Sequence, residues 1–332
     1  MYRSLIGQHV LVTGAGGYIG VPLIRILVEN GARVLGVDIE KPRLVWEDIP
    51  SDLFTFMAVD MNTLSADLKG YTKSVGEEVL CMIHLAGLSN VDECNQNPLQ
   101  AFSYNVGLTV KALDICREHG IERFIFPSTA LIYGFQKDPT PVKEDFKENP
   151  ENIYAASKLS AEKMILGYAK GYGINPIIGR LSNVYGVNDC RLDHNDANHP
   201  FPIKRNTILF DLLDQIHNRK DKIVLKDGSA IRDFIHIEDV VGALVMFVTM
   251  KNTSDQQVFN VSQSIGTSIL KFAQTLCDIN NISRDAITSL KPMYEKGPAL
   301  VVDNSQLKAA GWRPVYSLEA GLRNVCNSLR KP

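Results

Sequence analysis

The chain has 332 residues, long enough for one large or two medium domains, and 45% of them are hydrophobic and 22% charged. These proportions are ordinary for a globular protein and argue against a disordered, collagen-like or repeat chain. The formal net charge of −2 provides no overall basic field, so we expect no binding of nucleic acid or of an anionic membrane.

Other bulk features bear on location and on metal binding. The six cysteines have no C-x-x-C spacing, which predicts neither a zinc site nor a disulfide framework. The apolar run at 240–250 is too short to span a bilayer. Residues 1–7 lack the apolar core of a signal peptide, so we expect a cytoplasmic protein.

Short apolar strands alternate with amphipathic helices in the first half of the chain. The patterns predict strands over 9–13, 33–37, 54–59, 79–85, 121–126 and 176–179, and helices over 18–30, 98–119 and 153–172. Because strands that alternate with helices form parallel sheets, we expect an α/β fold with a doubly wound parallel sheet and helices on both faces.

The regular alternation ends after residue 180. Residues 187–206 are polar and irregular, and later patterns predict helices over 207–219, 239–250, 268–279, 305–310 and 318–329 and strands over 222–225 and 258–261. We expect one domain of residues 1–180 with about 236–257, and a smaller α/β domain of residues 181–235 and 258–332. The smaller domain would cover the carboxyl edge of the sheet, where open α/β sheets bind ligands.

A glycine-rich turn, G-x-x-G-x-x-G, joins the first strand to the first helix through Gly14, Gly17 and Gly20. Glycines permit the tight turn and let the backbone approach a pyrophosphate at the positive end of the helix. Asp38 follows the second strand, where its carboxylate can accept both ribose hydroxyls of an adenosine and would repel a 2′-phosphate. The pattern therefore predicts NAD rather than NADP. Asp60, after the third strand, is a candidate for contacting the adenine amino group.

Tyr154 and Lys158 stand four residues apart and share one face of the helix predicted over 153–172. A nearby ammonium favours the phenolate, which lets a tyrosine exchange protons with an alcohol at neutral pH. Pairs with this spacing also occur without a function. The glycine turn, and the hydroxyl of Thr129 at the end of the fifth strand, favour the catalytic interpretation here.

Together these motifs resemble the short-chain dehydrogenase/reductase superfamily. Segments 126–134, 180–186, 232–240 and 311–322 resemble its extended branch, the NAD-dependent nucleotide-sugar epimerases and dehydratases. The resemblance extends from about residue 8 to 325. It implies a Rossmann-type fold, NAD as cofactor, a nucleotide-sugar substrate, and a homodimer formed by the helices predicted over 98–119 and 153–172.

The resemblance also implies roles for individual residues. Tyr154 corresponds to the acid/base, Lys158 to the residue that lowers its pKa and holds the nicotinamide ribose, and Thr129 to the hydroxyl that binds the reacting sugar oxygen. Asn183 and Arg232 correspond to residues that contact the diphosphate, although an arginine of this kind can instead form an ion pair. The implied cofactor positions are Gly14, Gly17, Tyr18, Ile19, Gly20, Asp38, Asp60, Met61, Leu85, Ala86, Gly87, Tyr154, Lys158 and Leu181, and the substrate positions are Ser89, Thr129, Tyr154, Asn183 and Arg232.

One departure from the family pattern narrows the expected reaction. Ala130 and Leu131 occupy the positions where the dehydratases carry an Asp-Glu pair, so the resemblance implies oxidation and reduction at one carbon without elimination. We expect a 4-epimerase that acts through a transient 4-keto sugar. The alternatives are a nucleotide-sugar dehydrogenase or 4-keto reductase, and, outside enzymes, a non-catalytic NAD-binding regulatory protein.

Other departures concern the substrate region. Segment 294–298 lacks an arginine that often binds the diphosphate in the family, Leu108 replaces a usual glycine, and Val187 replaces a usual proline. His194 and His199 could bind a metal together with neighbouring aspartates. Polar loops with histidine are usually only solvated, so we expect no metal site.

Overall fold

The structure is a computed structural model that describes residues 5–40, 46, 48–76, 78–187, 207–218, 222–251, 257–291 and 297–329. Its strands are β1 His9–Thr13, β2 Arg33–Asp38, β3 Phe54–Ala58, β4 Cys81–His84, β5 Arg123–Thr129, β6 Asn175–Leu181, β7 Asn183–Tyr185, β8 Ile223–Leu225, β9 Ile231–His236, β10 Val258–Val261, β11 Gly266–Ser268, β12 Ile287–Ser289 and β13 Ala299–Leu300. Its helices are α1 Gly20–Glu29, α2 Leu64–Val75, α3 Val91–Gln96, α4 Pro98–Phe102, α5 Leu108–His119, α6 Ile153–Tyr172, α7 Ile208–Asn218, α8 Ile237–Thr249, α9 Ile269–Ile279, α10 Ser305–Ala309 and α11 Leu318–Leu329.

In the described part of the chain, seven parallel strands form the main sheet in the order β10-β6-β5-β4-β1-β2-β3. The chain runs outward from β1 through β2 and β3, then returns to the other side of β1 and continues through β4, β5 and β6. β1 and β4 therefore flank the switch point, where a crevice opens at the carboxyl ends of the strands. The predicted doubly wound parallel sheet is confirmed.

Strand β1 illustrates how the sheet is buried on both faces. All of its residues are buried. Val10 and Val12 belong to the core formed with α1 and α8, whereas Leu11 belongs to the core formed with α2, α5 and α6. Because successive side chains of a strand point to opposite faces, an unbroken apolar run indicates helices on both sides of the sheet.

Helix α6, which carries Tyr154 and Lys158, has ends that are set by local sequence. The Asn152 side chain accepts a hydrogen bond from Ala155 N at 2.8 Å and so satisfies an N–H of the first turn. Gly173 ends the helix in the left-handed conformation, with φ of +73°. These caps define where the helix starts and stops relative to the sheet.

A smaller unit is built from elements that follow β6. β9 pairs with β7, β11 and β13, and β8 pairs with β12. Its core includes residues of α7, α9 and α11 around Tyr185, Phe234 and Phe272, and the rings of the two phenylalanines have centroids 4.4 Å apart. β7 and β9 thereby place Asn183 and Arg232 on neighbouring strands.

Some features differ from those expected. β10, at 258–261, pairs with β6 at the edge of the main sheet, although we expected it in the smaller domain; the division into domains otherwise stays a prediction. Helix α2 was not predicted. The helix predicted over 98–119 is divided into α4, a π-helical turn at Ser103–Gly107, and α5.

Two further predictions concern the polar segment and the membrane. Most of the segment predicted to be irregular, including His194 and His199, lies outside the described residues. Among the described residues, no helix is both long and apolar enough to cross a bilayer.

Candidate active site

The turn between β1 and α1 brings the backbone close to the loop that follows β4. Gly14 adopts a φ of +68°, and a Cβ atom there would lie 2.6 Å from the backbone nitrogen of Ala86. The N–H of Gly17 donates to the carbonyl oxygen of Gly14 at 3.1 Å and closes the turn. Glycine is required because it alone combines this φ with this close approach of two backbones.

Helix α1 begins at Gly20, and its positive end is open to an anion. The N-cap residue, Ile19, provides no side-chain acceptor, and the first turn contains no acidic residue. The helix dipole therefore favours a phosphate at this position. Tyr18 lies in the same turn, and its hydroxyl donates to the carbonyl oxygen of Gly186 at 3.0 Å, which links the turn to the end of β7.

The Asp38 carboxylate lies beside the glycine turn. It accepts hydrogen bonds from Gly16 N at 2.9 Å and from Ile39 N at 2.8 Å. Burial raises the pKa of Asp38, and the two backbone donors oppose that shift. The carboxylate is thus held next to the turn, as an acceptor for the ribose hydroxyls of a dinucleotide must be.

The Thr129 hydroxyl lies close enough to the Tyr154 phenol to lower the pKa of that phenol. Thr129 ends β5, and Tyr154 lies in the first turn of α6. Thr129 Oγ1 also accepts a hydrogen bond from Leu131 N at 3.2 Å, which orients the hydroxyl. Burial, and then the neighbouring Cys94, raise the pKa of Tyr154 to about 12, although the Thr129 hydroxyl acts in the opposite direction.

Lys158 lies one turn further along α6. Its Nζ atom is 3.8 Å from the centroid of the Phe126 ring, a cation–π contact. Phe126 in turn stacks on His84, with ring centroids 6.2 Å apart. Burial, and then Lys158, lower the pKa of His84 to about 3, so this histidine adds no second positive charge beneath the lysine. The lowering of the Tyr154 pKa by Lys158 stays a prediction.

The remaining cofactor positions differ in exposure. Met61 and Leu181 are buried, and Ile19 packs against the core on the α1 side of the sheet. Asp60 is exposed, and one of its oxygens accepts hydrogen bonds from the backbone and side chain of Asn62. These hydrogen bonds place Asp60 at the start of the turn that leads into α2. Its contact with adenine stays a prediction.

The loop after β4 passes beside the glycine turn. Leu85 and Ala86 are partly buried there, and the closeness of Ala86 to Gly14 brings this loop to the edge of the crevice. Gly87 and Ser89 are exposed. The loop thus carries three predicted cofactor residues, Leu85, Ala86 and Gly87, and one predicted substrate residue, Ser89. All four lie on a segment that borders the switch point.

Arg232 is held by carbonyl oxygens and an aromatic ring. Its Nη1 donates to Ile231 O at 2.9 Å and to Pro298 O at 2.8 Å, and its guanidinium carbon lies 4.1 Å from the centroid of the Phe135 ring. Burial lowers the pKa of Arg232. Within the described residues no carboxylate lies within ion-pair distance of it, although Asp227 is near enough to raise its pKa, and its role toward a diphosphate stays a prediction. Asn183 is half-buried on the neighbouring strand.

The sequence matches the NAD dependent epimerase/dehydratase family over residues 10–262. The chain belongs to this family. The matched region contains the glycine turn, Asp38, Thr129, Tyr154 and Lys158. The resemblance to the extended nucleotide-sugar epimerases and dehydratases is confirmed, and so is the assignment to an NAD-dependent family.

Similar proteins cover nearly the whole chain. A UDP-glucose 4-epimerase of Corynebacterium glutamicum is 27% identical over 93% of this chain and 92% of its own length. A putative UDP-glucose 4-epimerase of Methanocaldococcus jannaschii is 28% identical over 97% and 98%. The crystal structure of UDP-glucuronic acid 4-epimerase from Bacillus cereus, in complex with UDP-glucuronic acid and NAD, is 24% identical, covers 97% of this chain and 99% of its own, and superimposes with a TM-score of 0.79.

The structure identifies Asn105 as a site residue that sequence reasoning missed. Asn105 lies in the π-helical turn Ser103–Gly107 and is buried. Its Oδ1 accepts from Leu88 N at 2.8 Å, and its Nδ2 donates to Ser157 Oγ at 2.9 Å. The Ser157 hydroxyl donates to the Tyr154 carbonyl oxygen at 2.8 Å. Asn105 therefore ties the loop after β4 to the first turns of α6, and π-helical turns often mark functional sites.

Phe135 was also missed, because nothing in its local sequence distinguishes it from a core aromatic residue. Its ring supports the Arg232 guanidinium, and its backbone N–H donates to Glu151 Oε1 at 3.1 Å. It follows Gly134, whose φ of +67° is a feature of the structure and not of the sequence pattern. That glycine turns the chain so that Phe135 faces the smaller unit.

The glycine turn yields a test of the NAD site. We expect Gly14→Ala to abolish retention of NAD, because the new Cβ would clash with Ala86 N and the φ would be strained. Gly70→Ala is the matched control, since Gly70 has open space around it and no positive φ. Dinucleotide released from the denatured protein measures retention. Normal NAD content in the folded Gly14→Ala variant would contradict the assignment of the turn.

Proposed function

We propose that the chain is an NAD-dependent nucleotide-sugar epimerase that acts at C4 through a transient 4-keto sugar. The observation that carries the proposal is the nearness of the Thr129 hydroxyl to the Tyr154 phenol at the carboxyl end of β5, in the same sheet as β1, whose carboxyl end leads into the glycine turn. The similarity to UDP-sugar 4-epimerases over nearly the whole chain supports it further. UDP-sugars are therefore the first substrates to test.

The residues divide the chemistry between them. Tyr154 removes the proton from the C4 hydroxyl, while Thr129 donates a hydrogen bond to the same oxygen as charge develops on it. Bound NAD would accept the hydride from C4 and later return it. Tyr154 then gives the proton back to the oxygen after the sugar has presented its other face. The positive charge of Lys158 stabilises the phenolate during the first half of the cycle.

The surroundings of Thr129 support redox chemistry without elimination. Ala130 is buried, and Leu131 packs against the small core that contains Ile132 and Tyr133. Neither side chain can donate or accept a proton, so this segment provides no acid and base to remove water from adjacent sugar carbons. An epimerase needs only the proton and hydride exchange at one carbon.

Recognition of the nucleotide would fall to Arg232 and Asn183. The Arg232 guanidinium is oriented by two carbonyl oxygens and by the Phe135 ring, which leaves its remaining donors for the diphosphate oxygens. Asn183 lies on the adjacent strand.

Replacement of Tyr154 tests the function. We expect Tyr154→Phe to lower the interconversion of UDP-glucose and UDP-galactose by at least about 10²-fold, because the acid/base is removed and the ring is kept. Tyr172→Phe is the matched control on the same helix, since Tyr172 is exposed. Product formation by chromatography measures the rate. A Tyr154→Phe enzyme with near-normal rate would contradict the assignment, and a wild-type protein that needs added NAD would indicate a dehydrogenase or reductase instead.

Replacement of Arg232 tests recognition of the diphosphate. We expect Arg232→Lys to raise KM about tenfold or more with a smaller change in kcat, because an ammonium cannot make the planar, two-pronged contact of a guanidinium. Arg284→Lys is the control, since Arg284 forms an exposed pair with Asp278. Thermal stabilisation by UDP-, GDP-, CDP- and dTDP-sugars would identify the base. An unchanged KM in Arg232→Lys would exclude the contact.

We also propose a homodimer formed through α4, α5 and α6. Leu99 and Phe102 on α4, and Met164 and Tyr172 on α6, are exposed apolar residues. Met164, Tyr168 and Tyr172 follow one face of α6 at intervals of four residues. An apolar stripe of this kind on paired helices is suited to packing against a second copy as a four-helix bundle. The cytoplasmic location likewise stays a prediction.

The dimer can be tested by placing charge on the stripe. We expect Met164→Glu to give a monomer by analytical ultracentrifugation, because a buried unpaired carboxylate opposes association. Val315→Glu is the control, since Val315 is 84% exposed and lies on a different surface. A wild-type protein that sediments as a monomer at all concentrations would contradict the proposal.

A further inference from the structure

A buried charged cluster lies behind the Thr129–Tyr154 pair and has no part in the proton or hydride transfers. Its centre is Arg180 on β6, which is 3% exposed, and its main partner is Glu162 on α6, which is 0% exposed. The Arg180 Nη2 and Glu162 Oε2 atoms are 2.8 Å apart, and Arg180 Nε contacts both Glu162 oxygens at 3.3 Å.

All the N–H groups of this guanidinium have acceptors. Its Nη1 donates to the Tyr133 hydroxyl at 2.9 Å and to the Glu144 carbonyl oxygen at 3.0 Å. Its Nη2 donates to Glu148 Oε1 at 3.2 Å in addition to Glu162. Arginine has five donors in a fixed plane, so this set of acceptors fixes the guanidinium in one orientation.

The acceptors belong to the two segments that carry the proposed catalytic residues. Glu162 lies four residues after Lys158 and eight after Tyr154, on the same side of α6. Tyr133 ends the 3₁₀ turn, Ala130–Tyr133, which starts directly after Thr129. One guanidinium on the main sheet therefore binds both α6 and the turn after β5.

A second chain of hydrogen bonds extends the cluster to the edge of the main sheet. The Tyr133 hydroxyl donates to Asn260 Oδ1 at 2.8 Å, and Asn260 N donates to Glu144 Oε1 at 2.9 Å. Asn260 lies on β10, beside β6. The position of Tyr133 is thus fixed from two strands, which leaves the turn little freedom to shift relative to α6.

A buried ion pair is a poor source of stability, because taking two charges out of water costs about as much as their attraction returns. Well-packed apolar residues can often replace such a pair without loss of stability. What apolar residues cannot reproduce is the direction of the five donors, which sets distances between segments. The free-energy cost of burying these two charges is therefore better explained by the positions they fix than by a gain in stability.

We propose that Arg180, through Glu162 and Tyr133, is the positioning residue that sets the separation of Tyr154 and Thr129. It touches neither substrate nor cofactor. The proposal rests on the proposed function, since the separation matters only if these two hydroxyls act on one sugar oxygen. A displacement of about 1 Å between such groups is enough to lower turnover about 10²-fold.

The test compares the full-length wild-type protein with three variants: a double variant, a control and Arg180→Lys. Glu162→Leu combined with Arg180→Met removes both fully buried charges and keeps apolar volume, and the partly exposed Glu148 retains its ion pair with Lys163 at 2.8 Å. We expect a melting temperature close to that of the wild type, a kcat at least about tenfold lower, and a KM within about twofold. Glu319→Gln is the control, because it removes a carboxylate from the exposed pair with Arg323 on α11, outside the cluster, and its kcat should stay at the wild-type value.

The outcomes separate the proposal from its alternatives. A double variant that melts normally and retains wild-type kcat would show that the pair is only structural and would overturn the proposal. If the double variant does not fold, Arg180→Lys decides, because it keeps the charge and loses the fork; an unchanged kcat in that variant also overturns it. A crystal structure of the double variant should have Thr129 Oγ1 and Tyr154 Oη further apart. This readout remains if the wild type epimerises no sugar, in which case the proposed function fails and the positioning role does not.

Discussion

The nearness of the Thr129 hydroxyl to the Tyr154 phenol requires the end of β5 and the start of α6 to lie close together in a fixed orientation. The covalent chain alone does not fix the distance between the end of β5 and the start of α6. In this chain it is kept by apolar packing of α6 on the main sheet, by the Asn152 cap, and by polar contacts to buried residues. Those contacts lie in a low-dielectric interior, where a satisfied polar network is rigid and an unsatisfied one is costly. The site therefore depends on polar groups that the core has to accommodate.

The same burial determines the electrostatics of the site. It raises the pKa of Tyr154 to about 12 and lowers that of His84 to about 3, which favours the uncharged form of both groups at neutral pH. Charge at the reacting centre then comes from Lys158, which is supported by the Phe126 ring. A phenol that is neutral at rest becomes a base only when a positive charge stabilises its phenolate.

Features with a local pattern could be predicted from the sequence. The buried run of β1, the glycine turn, and the spacing of Tyr154 and Lys158 each depend on a few consecutive residues. Helix α2 was missed because Leu64 and Leu68 are its fully buried residues and the rest is rich in serine, lysine and glycine. β10 was placed in the wrong unit since a four-residue strand with three apolar side chains does not reveal which strand it pairs with. The roles of Asn105 and Arg180 depend on partners that are far away in the sequence, so no local sequence pattern predicts those contacts.

The family includes enzymes that catalyse different reactions. They differ in what happens to the hydride after it leaves the sugar, so the fate of that hydride is the central question for this chain. The geometry around Thr129, with Ala130 and Leu131 beside it, favours removal and return of hydride at a single carbon. The most direct measurement uses UDP-glucose with deuterium at C4 and purified enzyme without added NAD. An epimerase that returns the same hydride gives UDP-galactose with the deuterium retained at C4. Loss of deuterium to solvent or to added free NAD, or a product that has lost water, would contradict it.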